Sequence, residues 1–322
     1  MHIKALKIEH SGQFKKLFDE CFSQLKVPYA NTIHHDFILK RVFQSSIYST
    51  DCSKAIFSSS RELCGFCIAN LSLNPLQKNW EKLYLNLFFI KPDFRNSGFG
   101  RELINNLILT AKDSNKKSII TSLQWSGIWP GIFVNWKDSI KFCKKTGGEI
   151  KSGEIFLEID LLDIPVDKYI KNTADNSILI RPYHNDDFQN LKKIAGQFGT
   201  GWLHEILNKV SHQYDSFNGY GLTNTYNLND VIVAENYDGL CGFCIVQSNN
   251  SNIISFFGPV GILQKYRKRG IGSLMFFKAV KYLKSIGKKK MGLWTSQKIF
   301  ENFYKKLGFY KTFETIHIEW NI

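Results

Sequence analysis

The sequence carries one short motif twice, as Arg95-Asn-Ser-Gly98-Phe-Gly100 and as Arg267-Lys-Arg-Gly270-Ile-Gly272. Each copy follows a strand-like apolar run, at residues 83–90 and 253–262, and each opens an amphipathic helix. A basic, glycine-containing turn at a helix N-terminus forms an anion site, because free backbone N–H groups converge there and the helix dipole favours negative charge. The motif therefore predicts either two pockets for phosphate-bearing ligands or one working pocket and one relic.

The repeat extends beyond the two turns. The further matched landmarks are Ile3-Lys-Ala-Leu with Ile180-Arg-Pro-Tyr, Cys64-Gly-Phe-Cys67 with Cys241-Gly-Phe-Cys244, and Phe142-Cys-Lys-Lys-Thr-Gly147 with Phe303-Tyr-Lys-Lys-Leu-Gly308. The offset between copies falls along the chain, from 241 − 64 = 177 through 267 − 95 = 172 to 303 − 142 = 161. Landmarks that recur in one order indicate two copies of one domain. We predict a first domain at residues 1–162, a linker at 163–177 and a second domain at 178–322.

Apolar periodicity and turn residues give the same order of elements in each copy. The order is a short strand, helices, a hairpin, the long strand, the glycine turn with its helix, then a strand, a helix and a terminal hairpin. The predicted ranges include helices at 13–24, 36–43, 186–198 and 203–212, hairpins at 54–60 with 64–73 and at 231–236 with 240–247, and later helices at 136–145 and 298–307. This order predicts an α/β fold in which a mixed, mostly antiparallel sheet is flanked by helices.

The composition excludes several classes of protein. With 322 residues, of which 43% are hydrophobic and 14% aromatic, the chain can form packed cores and is not globally disordered. No apolar stretch has membrane-spanning length, and the first residues lack the apolar core of a signal peptide. Seven cysteines form an odd set without a dense framework, which fits a reducing compartment. We expect a cytoplasmic protein that does not associate with membranes.

The net charge of +14 is unevenly distributed. Ten lysines and arginines lie between Lys265 and Lys290, and that window contains no acidic residue. The window is either a nucleic-acid footprint or a solvated helix face beside a phosphate site. We favour the second interpretation because no aromatic stacking motif is interleaved with the charges. Nucleic acid is therefore not the expected partner, although it stays an alternative.

The glycine turns differ from two common nucleotide-binding motifs. Leu103 and Met275 stand where a dinucleotide fingerprint has its third glycine, and no Gly-Lys-Ser/Thr follows either turn. What remains is Arg-x-x-Gly-x-Gly between a long strand and a helix. This motif resembles the Gln/Arg-x-x-Gly-x-Gly/Ala signature of the GNAT superfamily of acyl-CoA N-acyltransferases. The resemblance covers nearly the whole chain as two tandem domains, similar in layout to mycothiol-synthase-like double GNATs.

The resemblance implies sites for coenzyme A and no metal. It assigns the pyrophosphate of acetyl-CoA to backbone N–H groups of both turns, and the pantetheine arm to the strand backbone at Ile90 and Ile262. The turn residues so assigned are Arg95, Asn96, Ser97, Gly98, Phe99, Gly100 and Arg101 in the first copy, and Arg267, Lys268, Arg269, Gly270, Ile271, Gly272 and Ser273 in the second. The motif is specific to the fold and says little about the acceptor.

A second resemblance lies in Phe303-Tyr304-Lys-Lys-Leu-Gly308-Phe309, which is similar to the family's LYEKLGF segment. In many members that tyrosine protonates the departing thiolate, which is reasonable chemistry for a phenol beside the sulfur. The resemblance implies that Tyr304 is the general acid, whereas packing on an amphipathic helix is the alternative role. Cys143 stands at the matching position of the first copy, and a small buried cysteine usually belongs to the core. We therefore expect catalysis in the second domain.

The repeated Cys-Gly-Phe-Cys motif lies in a predicted strand of each hairpin. Residues i and i+3 of a strand point to opposite faces, so the two thiols of one motif neither close a disulfide nor bind one metal ion without distorting the strand. We therefore expect no zinc or redox chemistry at Cys64 and Cys67, or at Cys241 and Cys244.

No general base stands out in the sequence, because residues 255–261 of the long strand contain no acid. Trp202, His204 and Glu205 lie on a helix that borders the acceptor cleft in this family, and Trp202 is the candidate for an apolar wall. His317 on the last strand is a further candidate. A water relay, or attack by an already neutral amine, removes the need for a base.

The resemblance implies an acyl-CoA-dependent N-acyltransferase. Its second domain passes an acetyl group from acetyl-CoA to a primary amine in a ternary complex, without a covalent enzyme intermediate. A small-molecule amine is the expected acceptor, and we expect a monomer or a homodimer. The alternatives are a non-catalytic acyl-CoA-binding or scaffold protein, and an acyltransferase with an RNA or protein acceptor.

Overall fold

The chain divides into two units. The computed structural model describes residues 1–23, 51–71, 81–121, 131–166, 169, 177–210, 228–248 and 254–322. The first unit comprises Met1–Glu154 together with Phe313–Ile322, and the second comprises Ile155–Thr312. The predicted helix at 36–43 lies outside the described residues.

The strands and helices alternate as the repeat predicts. The strands of the described chain are β1 (His2–Ala5), β2 (Lys54–Phe57), β3 (Leu63–Leu71), β4 (Lys82–Ile90), β5 (Ser118–Thr121), β6 (Ile132–Phe133), β7 (Glu149–Lys151), β8 (Ile155–Asp160), β9 (Leu179–Pro182), β10 (Val231–Asn236), β11 (Gly239–Gln247), β12 (Ile254–Ile262), β13 (Lys290–Thr295) and β14 (Tyr310–Asn321). Its α-helices are α1 (Ser11–Ser23), α2 (Phe99–Asp113), α3 (Lys137–Lys145), α4 (Phe188–Gly196), α5 (Thr200–Val210), α6 (Ile271–Ser285) and α7 (Gln297–Asn302).

The sheet of the first unit contains β1 to β5 in chain order, followed by the last residues of β14 beside β5. Neighbouring strands are antiparallel except for β4 and β5, which are parallel. α2 buries Leu103, Leu107 and Ala111, whose spacing of four residues produces one apolar stripe against the sheet. Phe14 of α1 packs against Phe66 with ring centroids 4.6 Å apart. The first unit therefore has a mixed, mostly antiparallel sheet flanked by helices.

The sheet of the second unit has the order β8-β13-β12-β11-β10-β9. Among the described strands of this second sheet, β12 and β13 are the only parallel neighbours. α6 buries Met275, Ala279 and Leu283 in the core on one face, and α4 and α5 supply Leu191 and Ile206 to a second cluster. The predicted fold class is thus confirmed in both units.

The unit boundaries differ from the predicted ones because the copies exchange their last strands. β8 closes the first copy in sequence, yet it pairs with β13 of the second unit. The end of β14 closes the second copy, yet it pairs with β5 and β7 of the first unit. A division at residues 162 and 178 therefore cuts across both sheets.

The start of the predicted linker is part of the second unit. Ile164 and Val166 are buried in its core. The ammonium of Lys284 on α6 donates hydrogen bonds to the carbonyl oxygens of Leu162 and Ile164, at 3.2 and 3.3 Å. These contacts hold the chain against α6 before it reaches β9.

The two central hairpins form where they are predicted, as β2 with β3 and β10 with β11. The predicted single helix at 298–307 is wrong, because α7 ends at Asn302 and a separate 3-10 turn follows at Tyr304–Leu307. The break lies at Phe303, whose φ of −132° and ψ of −63° are not helical. Tyr304 therefore begins a short turn instead of lying in the middle of a helix.

No helix in the described residues is both long enough and apolar enough to cross a bilayer.

Candidate active site

The two glycine turns have the same backbone conformation. Asn96 and Lys268 have φ values of 59° and 64°, and Gly98 and Gly270, which directly precede α2 and α6, have φ values of 88° and 80°. Left-handed conformations of this kind suit glycine and occasionally asparagine. The first α-helical bond of the second turn runs from the N–H of Leu274 to the carbonyl of Gly270, at 3.0 Å. The N–H groups just before Leu274 therefore have no partner within the helix and point out of its N-terminus.

Each motif arginine fastens its turn to the end of the long strand. The Nε of Arg95 donates to the carbonyl oxygen of Ile90 at 3.0 Å, and the Nε of Arg267 donates to that of Ile262 at 2.9 Å. The same bond across five residues occurs in both copies. The arginines thus hold the turn in place, and the backbone N–H groups at the helix start stay available.

The last glycine of each motif lets an aromatic ring approach the start of the helix. A side chain at Gly100 would meet the ring of Phe142 at 3.0 Å, and one at Gly272 would meet Phe303 at 3.3 Å. Phe142 and Phe303 are matched landmarks of the repeat, so both units cover the first helical turn in the same way. The residues from Ile90 to Arg101, and from Ile262 to Ser273, each form one continuous strand end, turn and helix start.

The long strand of each unit parts from its parallel neighbour after a short pairing. In the described chain, β12 pairs with β13 only from Ile254 to Phe256, and β4 pairs with β5 only from Lys82 to Leu85. Beyond these points each long strand continues to pair with the strand on its other side. The edge so released offers backbone groups to an extended ligand, as an added strand would use them.

Tyr304 lies in the core of the second unit. Its side chain is 8% exposed and packs against the rings of Phe303 and Phe309, with centroids 5.0 and 5.3 Å away. Burial raises the pKa of this phenol far above its usual value, and the neighbouring Cys244 adds to the effect. The hydroxyl has no hydrogen-bond partner among the described residues, and its oxygen is not fully buried. A neutral phenol without a hydrogen-bond partner can donate its proton to a nearby group.

Comparison with known proteins identifies this arrangement. Residues 227–311 match the family model of the acetyltransferase (GNAT) domain. A tandem GNAT protein from the clavulanic acid biosynthesis pathway, solved without AcCoA, superimposes with a TM-score of 0.67 at 11% identity, over 99% of this chain and 98% of that one. The chain has a tandem GNAT fold. Such a fold supports acyl transfer in general.

Two other solved structures resemble this chain. One is the GCN5-related glucosamine N-acetyltransferase region of a fungal multi-domain GH3 β-N-acetylglucosaminidase, with a TM-score of 0.80 and 16% identity over 99% of this chain. The chain spans only 38% of that fungal protein. The other is a GCN5-related N-acetyltransferase from Sphaerobacter thermophilus, with a TM-score of 0.64 and 12% identity over 99% of this chain and 95% of that one. No curated protein matches the chain by sequence.

Cys143 occupies the position in the first copy that Tyr304 has in the second copy. It is buried in the core of the first unit, which also contains Trp320. Burial raises the pKa of the Cys143 thiol to about 12, so the thiol stays protonated at neutral pH. Its surroundings are those of a packing residue.

The cysteines of the repeated hairpin motif are buried free thiols. Burial raises the pKa of Cys67 to about 12 and that of Cys244 still higher. The prediction of opposite faces is wrong for the second copy, since Cys241 and Cys244 belong to one core. The register of β10 and β11 shifts at Cys241, and this bulge interrupts the alternation of side chains. Among the described residues, no three side chains are grouped as metal ligands.

The structure places the candidate acceptor-site residues in different surroundings. Trp202 on α5 is 37% exposed and stacks on Phe198 with a centroid distance of 5.4 Å and an interplanar angle of 16°. His204 and Glu205 lie on α5, and their side chains are outside the described part of the structure. His317 is wrong as a base for the second domain, because the exchanged end of β14 carries it into the first unit.

One polar residue of the second unit escaped the sequence prediction. Glu158 on β8 is only 8% exposed, and its carboxylate lies 3.5 Å from the ammonium of Lys290. The sequence places it in the first copy, outside the predicted second domain. The signal that could have found it is the match with Glu319, whose offset of 319 − 158 = 161 equals that of the last repeat landmark.

Proposed function

We propose that the second unit transfers an acetyl group from acetyl-CoA to a primary amine within a ternary complex. The observation that carries the proposal is one unit that combines an anion-binding helix start, a released strand edge and a buried neutral tyrosine. The first unit has the turn and the edge, with Cys143 in place of the tyrosine. That difference favours the second unit for chemistry.

Each part has one task in the proposed reaction. The N–H groups from Gly270 to Ser273 bind the pyrophosphate of acetyl-CoA, with Lys268 and Arg269 adding positive charge beside it. The free edge of β12 holds the pantetheine arm and polarises the thioester carbonyl through its backbone. Tyr304 then protonates the sulfur as the amine displaces it. The first unit binds acetyl-CoA at the turn from Arg95 to Arg101 without transferring it.

The acceptor we propose to test first is an amino sugar. The most extensive likeness among the structures described above, at a TM-score of 0.80, is to a glucosamine N-acetyltransferase region. The exposed face of Trp202 is suited to pack against a ring and to attract a cationic amine. We assign the reaction to the cytoplasm, because free thiols fit a reducing compartment, and we propose a monomer or homodimer.

A thiol-release assay tests the function directly. The full-length protein is incubated with acetyl-CoA and, in turn, with glucosamine, amino acids, aminoglycosides, short peptides and no amine. We expect amine-dependent release of free CoA, with the acetylated product detected by mass spectrometry. Tight binding of acetyl-CoA without release on any amine would instead support a non-catalytic acyl-CoA-binding protein. Release with peptides alone would point to a macromolecular acceptor.

A further inference from the structure

The side chain of Tyr304 packs edge-to-face with two other rings. The centroid of the Phe303 ring lies 5.0 Å from that of Tyr304, at an interplanar angle of 71°. The centroid of the Phe309 ring lies 5.3 Å away, at an angle of 76°. Aromatic pairs favour this geometry, because the positive edge of one ring meets the negative face of the other. The orientation of the phenol is therefore set by two aromatic contacts.

Both of these rings rest on α6, the helix that begins at the glycine turn. A side chain at Gly272 would meet the ring of Phe303 at 3.3 Å, so this ring lies directly against the backbone of the first helical turn. Phe309 packs on Phe276, with ring centroids 5.5 Å apart. Gly272 and Phe276 are four residues apart and thus lie on one face of the helix. The two rings connect Tyr304 to the start of α6.

The row of rings continues from α6 to the long strand. Phe276 also packs against Phe257 of β12, with a centroid distance of 5.7 Å and an interplanar angle of 80°. Phe257 directly follows Phe256, the residue at which the pairing of β12 with β13 ends. Through Phe309 and Phe276, Tyr304 is therefore joined to the strand at the point where its edge is released.

The first unit provides an internal comparison. At the repeat offsets of 172 and 161, its residues at the matching positions are Leu85 for Phe257, Ile104 for Phe276, Cys143 for Tyr304 and Gly148 for Phe309. The contact of Phe303 with Gly272 is kept, because Phe142 lies against Gly100 in the same way. Four rings of the second unit are thus replaced together in the unit that has no tyrosine. The row of rings accompanies the phenol.

The backbone alone does not fix the position of Tyr304. α7 ends at Asn302, and Tyr304 lies on a separate short turn after the non-helical residue Phe303. A general acid must stay within hydrogen-bond reach of the atom that it protonates. A displacement of about 1 Å can lower the rate roughly 100-fold. Packing against α6 and β12 fixes the phenol relative to the two elements that bind acetyl-CoA in the proposed function.

We propose that Phe303 and Phe309 are positioning residues that hold the hydroxyl of Tyr304 at the sulfur of the bound thioester, an inference that rests on the proposed function. In the step they serve, the amine nitrogen forms a bond to the thioester carbon and the carbon–sulfur bond breaks. The sulfur keeps the electron pair of that bond and takes the proton of Tyr304. The nitrogen releases one proton to solvent and Tyr304 regains one from solvent, so a neutral amine gives an amide and CoA thiol. The two rings act only through Tyr304.

The test removes each ring and keeps an apolar side chain in its place. We expect Phe303→Leu and Phe309→Leu each to lower kcat by about 10-fold or more. The affinity for acetyl-CoA, measured by calorimetry, is expected to stay within about twofold, because the backbone N–H groups of the turn are unchanged. Phe142→Leu is the matched control in the first unit and is expected to keep kcat within about twofold of wild type. In a Tyr304→Phe background, neither substitution is expected to lower kcat further, because the hydroxyl on which the rings act is already absent.

The outcomes separate this inference from the function on which it rests. A wild type that releases no thiol with any amine overturns both. An active wild type with equally active Phe303→Leu and Phe309→Leu variants overturns the positioning role alone. An equal loss in Phe142→Leu, or losses of unchanged size in the Tyr304→Phe background, shows that the rings support the fold and not the hydroxyl, and also overturns it. Circular dichroism checks folding, and Phe303→Leu decides alone if Phe309→Leu does not fold, since Phe303 is only partly buried.

Discussion

At the scale of single residues, burial determines the protonation state of Tyr304. The phenol is surrounded by aromatic rings, and removing it from water disfavours the phenolate, which raises the pKa. The phenol therefore holds its proton at neutral pH, as a general acid must before the thiolate leaves. Burial also keeps the thiol of Cys143 protonated. Its side chain is shorter than that of tyrosine and lies in the core of the first unit.

Replacing Tyr304 by Phe removes the hydroxyl group and keeps the aromatic ring. We expect kcat to fall by about 100- to 10,000-fold, the range that general acid catalysis contributes. The affinity for acetyl-CoA is expected to stay within about twofold, because the turn and the strand edge are untouched. Thiol release measures kcat, and calorimetry with acetyl-CoA measures binding.

Tyr282→Phe is the control for this substitution, because it removes a hydroxyl from α6 that bonds to Asp230. It is expected to change stability slightly and kcat hardly at all. Full turnover by the Tyr304→Phe variant would remove the tyrosine from the mechanism and leave it as a packing residue.

The pair of Arg181 and Asp187 predicts a dependence of stability on pH. Arg181 donates to both oxygens of Asp187, at 2.6 and 2.8 Å, and these bonds hold the pKa of the carboxyl below its usual value. A carboxyl whose pKa is lowered by folding stabilises the protein above its unfolded pKa, about 3.9, and this contribution is lost as the pH falls further. We expect Asp187→Asn to lower the free energy of unfolding by about 2 kcal/mol at pH 7.

Chemical denaturation at pH 7 and pH 3 checks the sign of this effect. The difference between wild type and Asp187→Asn should shrink at the lower pH, because the carboxyl then takes up a proton in the unfolded state more readily than in the folded state. Asp186→Asn, one residue earlier, is the control with an exposed carboxyl. A difference that stays constant between the two pH values would contradict the assignment.

At the scale of elements, the two turns provide a matched pair of glycines. Gly98 and Gly270 both adopt left-handed conformations, which cost an L-residue roughly 1–2 kcal/mol. We expect Gly98→Ala and Gly270→Ala to lower stability by similar amounts. Only Gly270→Ala should also raise the KM for acetyl-CoA, because the tyrosine lies in the same unit as that turn. Equal changes of KM in both variants would argue that the two turns contribute alike to turnover.

The turns and hairpins could be predicted because their determinants are local. Asn96 and Gly98 adopt the left-handed backbone that their residue types favour. In the hairpin of β10 and β11, the side-chain oxygen of Asn236 accepts a hydrogen bond from the backbone N–H of Asp238. The break at Phe303 could not be predicted, since the helical pattern continues through it. Its ring packs close to Gly272, which is 31 residues away in the sequence and adjacent only in the fold.

Glu158 could not be predicted for a different reason. Periodicity gives the side of a strand on which a residue lies, but it gives neither the partner strand nor the unit. Register with Gly292 places Glu158 beside β13 of the second unit, and that register is a property of the folded sheet. The repeat offsets align copies in the sequence and carry no information about the exchange of their last strands.

At the scale of the whole molecule, the exchange of strands predicts which fragments fold. The segment Ile155–Thr312 contains every strand of the second sheet, whereas residues 178–322, the domain expected from the repeat, lack β8 and carry the end of β14 without its partners. The side chains lost with the shorter start are buried in the second core; they are Ile155, Leu157, Ile159, Leu161, Ile164 and Val166. At about 1.5–3 kcal/mol for each buried side chain, their loss amounts to about 10 kcal/mol, as large as the stability of a typical domain. We expect 155–312 to unfold cooperatively in a thermal melt followed by circular dichroism, and 178–322 to give no such transition. A cooperative transition in 178–322 would mean that β13 does not need β8 to form a stable sheet.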